Sequence, residues 1–159
     1  MQSGEAGRKR PVHWPAREHD SRAIIVFLTV CTAGRKSVLA NNLALNALRS
    51  AWQQADAWLV GRYVVMPDHL HLFCAPRRVG VPLKRWVQYW KSLASMHWPR
   101  PADQPLWQKD FWDRQLRRGE SYAEKWDYVW RNPVRHGLVR QPEDWSWAGE
   151  LNPLMWHDP

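Results

Sequence analysis

Cysteine is almost missing from this chain: Cys31 and Cys74 are the two in 159 residues, each inside an apolar, strand-like run. Two such residues exclude a disulfide framework and a zinc knuckle. They read as small buried hydrophobes suited to a reducing cytoplasm. No apolar run approaches the roughly 18 residues needed to span a bilayer, so no membrane partner is expected. Met1 to Asp20 is polar and basic and lacks the apolar core of a signal peptide, so no export signal is expected either. A glycine-rich phosphate loop is absent, as are internal repeats and low-complexity segments. Acidic residues are in deficit, 15 against 23 lysines and arginines, which leaves a net charge of +8. That balance favours a polyanionic partner, nucleic acid before a membrane surface.

What is present points to one globular domain. Hydrophobic residues make up 45% of the chain, too many for a disordered protein and enough for a single core. Thirteen tryptophans are unusual at this length. Most should be core, but rings among arginines are also what single-stranded bases stack on.

Residues 1–22, with Gly4, Gly7, Pro11, Pro15 and the cluster Arg8-Lys9-Arg10, read as a flexible basic arm. A domain over 23–147 follows, then a tail over 148–159. Ala23 to Cys31 is β-branched and apolar, a buried strand. Gly34-Arg35-Lys36 is a basic loop. From a cap at Asn41 or Asn42, Leu45, Leu48, Trp52 and Ala55 recur at helical spacing to about Ala57. Trp58 to Met66 is a second strand, and Pro67-Asp68 turns into a third, His69 to Ala75. Pro82 opens a second helix with the stripe Leu83, Val87, Trp90 and Ala94, leaving Lys84, Gln88 and Lys91 facing elsewhere. Pro99 to Pro105 is a loop. A fourth strand falls around Phe111 to Leu116 and a third helix over Glu120 to Trp130. This order predicts an α+β, ferredoxin-like split β-α-β sandwich, an antiparallel sheet with an additional C-terminal helix that carries a tyrosine. In that topology the third strand is central.

The third strand carries the most informative pair. His69 and His71 are two residues apart, so in a strand they share a face while Leu70 points to the other. Two neutral imidazoles side by side are a common start of a divalent-metal site. Two half-buried, hydrogen-bonded histidines would give the same pattern. Downstream, Tyr128 and Asn132 are four apart, one turn along a helix face, and Pro133 should end that helix. By spacing alone they read as a core-edge tyrosine and a capping asparagine.

Met66-Pro67-Asp68-His69-Leu70-His71, followed by Tyr128-Val-Trp-Arg-Asn132-Pro133-Val134-Arg135-His136-Gly137-Leu138-Val139, resembles the REP-associated tyrosine transposases. These are domesticated relatives of the single-tyrosine HUH transposases of insertion sequences. Phe111-Trp112-Asp113-Arg114-Gln115-Leu116-Arg117 also fits the pattern, and the resemblance runs from about Ile24 to Trp147. It implies metal ligation by His69, His71 and Asn132, and Tyr128 as nucleophile. Tyr122, six residues earlier, is the rival tyrosine but does not share the face of Asn132. His136 and Arg135 read as structural.

Free tyrosine titrates near pH 10, so a phenol needs help to attack an anionic phosphodiester. Two nitrogens and one oxygen with open positions suit Mg²⁺ or Mn²⁺, which would polarise the phosphate. The resemblance implies a nickase and strand-transferase that forms a covalent 5′-phosphotyrosine on single-stranded DNA. The partner would be a REP-type hairpin with a single-stranded flank, bound by a monomer in the cytoplasm at the nucleoid. Candidate DNA contacts are Arg8, Lys9, Arg10, Arg35, Lys36, Lys84, Arg85 and Lys91, which would set position, not sequence. A catalytically silent hairpin-binding protein is the alternative. A ferredoxin-like RNA binder would instead place aromatics on the central strands, where this chain has histidines.

Overall fold

The computed structural model describes residues 23–156 and 158. The arm over residues 1–22, with Arg8, Lys9 and Arg10, lies outside the described residues. Five strands, β1 (Val26–Cys31), β2 (Trp58–Val65), β3 (His69–Pro76), β4 (Trp112–Gln115) and β5 (Ala148–Glu150), form one sheet in the order β4-β1-β3-β2-β5. Each neighbouring pair is antiparallel. Helices α1 (Asn42–Gln54) and α2 (Leu83–Met96) are the crossovers, and α3 (Tyr122–Trp130) and α4 (Asn132–Arg135) follow β4. The first four strands and two helices make the ferredoxin-like α+β sandwich, with β3 internal to the sheet.

Alternation along the strands divides the molecule into two layers. Val26, Leu28 and Val30 of β1 and Leu70, Leu72 and Cys74 of β3 pack with Leu48 and Trp52 of α1 and Trp86 and Trp90 of α2. Ile25 and Phe73, on the other face, pack with Tyr122 and Val129 of α3, Leu116 and Trp145. Both helices of the first layer follow from their apolar spacing. Asn41 caps α1 by accepting from the Ala44 amide (2.9 Å), and Pro82 stands just before α2, where its missing N–H costs nothing.

The tryptophans are mostly core. Trp52, Trp58, Trp86 and Trp90 are each buried, and Trp90 meets Trp52, Trp86 and Trp107 edge-to-face. Several of their indole N–H groups find backbone carbonyls, Trp58 on Val81 (2.9 Å) and Trp86 on Ala55 (2.6 Å) among them, as buried indoles usually do.

Two expectations need correction. Lys91 is not on the outer face of α2: it is buried, and its Nζ donates to the Gln108 carbonyl at 2.7 Å. It lies beside Trp90 at the margin of the apolar stripe, so its methylene stem covers core while its head finds a carbonyl. The described residues after 147, set apart above as a tail, pack on the domain instead. Ala148–Glu150 pairs with β2 as a fifth strand, Trp156 donates to the Glu120 carbonyl (2.8 Å), and Asp158 accepts from the Tyr122 amide (2.7 Å). Glycine permits this close packing, since a Cβ on Gly61 would lie 2.6 Å from Leu154.

Candidate metal and nucleophile site

His69, His71 and Phe73 stand on the face of β3 turned away from α1 and α2. Cross-strand register puts Cys31 opposite His69, Thr29 opposite His71 and Phe27 opposite Phe73. The two imidazole centroids are 4.9 Å apart with planes at 80°, and Phe27 stacks on His71 at 5.3 Å. Alternation alone brings the pair together, and an internal strand holds it rigidly.

Both rings are held by their Nδ1 atoms. His69 Nδ1 lies 2.7 Å from Asp68 Oδ1, and His71 Nδ1 lies 2.8 Å from Thr29 Oγ1. Burial alone would raise the Asp68 carboxyl, but hydrogen bonds from Arg35 and His69 outweigh it and keep the group below the ordinary carboxylate range. An ionised carboxylate only accepts, so His69 carries its proton on Nδ1 and keeps its lone pair on Nε2. Arg35 Nη2 also approaches this Nδ1, at 3.4 Å. That contact is long and meets no lone pair, so the Asp68 bond is the one that sets the tautomer. A carboxylate or hydroxyl on the far nitrogen of each ring is the usual support of metal-bound histidine. Burial, reinforced by His69, His136, Arg135 and Arg35, pushes His71 down to about 3, so it stays neutral. Burial also lowers His69, against the pull of Asp68. Two neutral, oriented imidazoles therefore fit a divalent cation.

Tyr128 lies in the last turn of α3, and Asn132 opens α4, so the two do not share one helix as their spacing suggested. Ser121 caps α3 by accepting from the Glu124 amide (3.2 Å). The helix ends at Trp130, and Arg131 joins it to α4, where Pro133 occupies the first turn. Tyr128 is 66% exposed, whereas the rival Tyr122 is 6% exposed and engaged by the Arg62 amide (3.3 Å). Burial pushes Tyr122 up to about 12, which unfits it as a nucleophile. The Arg135 guanidinium lies 3.9 Å from the Tyr128 ring centroid, and its Nη2 donates to Asn132 Oδ1 at 2.8 Å. The Asn132 amide oxygen thus has a protein partner. Among the described residues no three His, Cys, Asp or Glu side chains gather to hold a metal, so a third protein donor would have to be of another type, such as this amide.

Arg135 and His136, read from the sequence as structural, belong to this neighbourhood. The His136 ring is 6.3 Å from His69, and both residues depress His71. Their adjacency to Asn132-Pro133 was a signal available in the sequence.

The expected DNA contacts divide. Arg35 is at the site: Nε donates to Asp68 Oδ2 (2.9 Å) and Nη1 to Cys31 Sγ (3.4 Å). It adopts φ +53°, a left-handed conformation that costs a non-glycine residue on the order of 1 kcal/mol. Lys36 is committed elsewhere, donating to the carbonyls of Asp103 and Pro105. Lys84 and Arg85 are exposed on α2, across the sheet from the histidines, and Lys91 is buried.

No family model matches the chain. It is 29% identical over 105 residues to a REP-associated tyrosine transposase of Escherichia coli K12, a match covering 61% of each protein. The chain thus spans about three-fifths of that relative's length. It is 27% identical over 139 residues, 78% of each, to a provisionally named REP-associated tyrosine transposase of Haemophilus influenzae. In fold it is similar to a solved REP-associated tyrosine transposase bound to a REP hairpin, with TM-score 0.67 and 24% identity over 85% of this chain and 81% of that one.

Proposed function

We propose the following function for a chain that is a relative of the REP-associated tyrosine transposases: a monomeric enzyme of the nucleoid that nicks and rejoins single-stranded DNA beside a REP-type hairpin. The observation that carries it is a pair of Nδ1-anchored imidazoles beside the helix end that bears an exposed tyrosine: the His136 ring lies 6.3 Å from His69, and the adjacent Arg135 contacts Tyr128 and Asn132. That the E. coli relative is named a transposase, and a similar fold is described bound to a REP hairpin, supports the substrate class.

In this reading His69, His71 and the Asn132 amide oxygen, which also accepts from Arg135, would hold Mg²⁺ or Mn²⁺. When bound, the cation would polarise a phosphate oxygen and neutralise developing charge. Asp68 and Thr29 keep the imidazole rings turned for that task. Tyr128 Oη forms a bond to phosphorus as the bond to the 3′ oxygen breaks, and the phenol's proton ends on that oxygen as a 3′ hydroxyl. The 5′ phosphate remains on Tyr128. The phosphoester bond is conserved, so a 3′ hydroxyl can reverse the step without a nucleotide cofactor. Arg35 and Arg135 place positive charge where the phosphate would lie.

A second reading is favoured by one contact. Arg135 engages both the Tyr128 ring and Asn132 Oδ1, an arrangement that would also suit a hairpin binder that does not cut. The test is a denaturing gel with a labelled hairpin carrying a single-stranded flank, in Mn²⁺. The label follows the strand downstream of the cut. Wild type and Tyr122→Phe should form a covalent adduct, and Tyr128→Phe should form none while still binding. Wild-type binding with no adduct would establish the silent binder instead.

A further inference from the structure

Trp112 is the odd tryptophan. Among the described residues it is the one that is exposed, at 44%. It lies on the edge strand β4, in register with Thr29 of β1, which is itself in register with His71 of β3. Directly opposed residues share a face, so Trp112, Thr29 and His71 form one row across the sheet on the side of the candidate site. At about 4.8 Å per strand, Trp112 stands about 10 Å from His71 along that row. Only Thr29 lies between them in the row, and both Thr29 and its neighbour Phe27 are incompletely buried. Arg114, two residues on and on the same face, is half-exposed beside Glu120, and Arg117 and Arg118 continue the basic margin.

We propose that Trp112 is a stacking platform for the base of a single-stranded nucleotide next to the phosphate held at His69 and His71. This rests on the proposed function and specifies which surface receives the flank. An unshielded indole on a strand edge gains little from folding. Beside arginines and a phosphate-directed site, it presents the flat apolar face on which any base can stack. The open floor of Thr29 and Phe27 would let the strand pass from the His pair to the sheet edge, with Arg117 and Arg118 able to meet its phosphates.

The test is binding, independent of cutting. Affinity is measured for a hairpin whose flank is intact or abasic at one position at a time, with wild type, Trp112→Ala and Trp112→Phe. For wild type, one abasic position should weaken binding roughly 5- to 150-fold. Trp112→Ala should show the same loss with the intact flank and no further loss at that position, and Trp112→Phe should stay near wild type. Flankless hairpin should bind all three equally. If no abasic position matters to wild type, or if the two losses add, the platform is overturned. The abasic series uses unaltered protein, so misfolding of a variant cannot imitate success. Adduct formation by wild type reports separately on the proposed function.

Discussion

The two faces of this sheet are built from the same strands and differ in what covers them. Toward α1 and α2, Val26, Leu28, Val30, Leu70, Leu72 and Cys74 meet a ladder of tryptophans, and every one of these strand residues is at most 5% exposed. Toward α3, the cover is partial: Phe73 is sealed beneath Tyr122, but Phe27 and Thr29 are half-buried and the histidines stand among charged groups. The first face is core along its whole length, whereas the second joins a smaller core around Phe73, Tyr122 and Trp145 to a row of polar groups held in fixed places. A strand rigidified by the first face orients side chains on the second.

The largest contrast should come from one truncation on each face. Trp90→Ala empties the centre of the indole cluster and should cost about 3–5 kcal/mol in denaturant unfolding, taking all activity with it. His71→Ala should leave unfolding within about 1 kcal/mol of wild type and retain hairpin binding in a gel shift, yet give no adduct. Equal destabilisation by the two would mean that the histidine row is part of the core as well.

Next in size is Thr29→Val, which keeps the shape and removes the hydroxyl at His71 Nδ1. We expect Mn²⁺ affinity, by calorimetric titration, to fall roughly 10- to 100-fold with the fold intact. Unchanged affinity would show that packing against Phe27 alone orients the ring.

Tyr122 sharpens the comparison through pH. Its folded pKa is raised to about 12, above the unfolded value near 10. The stability it contributes is therefore present below about pH 10 and is lost as pH rises toward 12, because the unfolded chain releases the proton first. Tyr122→Phe should flatten that decline relative to wild type in unfolding measured from pH 9 to 11.5. An identical decline in both would place the alkaline sensitivity elsewhere.

The smallest effect is expected from the helix side. Replacing both Lys84 and Arg85 with alanine should leave the salt dependence of hairpin binding unchanged. A slope shallower by about 2 would show that both contact phosphates and that the DNA reaches around to α2.

Much of this architecture is written in local patterns. The alternating strands, the capped helix at Asn41, the turn at Pro67-Asp68 and the order of elements determine the split sandwich, because period and turn chemistry act between near neighbours. The common face of His69 and His71 follows from the same alternation. Other features depend on partners far along the chain. Lys91 sits at the stripe margin, and the Gln108 carbonyl together with the nearby Asp110 charge makes its burial tolerable. Ala148–Glu150 carries no strand signal in three residues, and it pairs because β2 offers an open edge and Gly149 allows close approach to Tyr63. Arg35 finds Asp68, Arg135 spans Tyr128 and Asn132, and Trp112 enters the row of His71 only once the sheet is assembled. The sequence by itself determined the elements and which side of each strand is apolar, since those are short-range consequences of side-chain period. The tertiary structure decided which charges, rings and hydroxyls meet, since that depends on cross-strand register and helix docking.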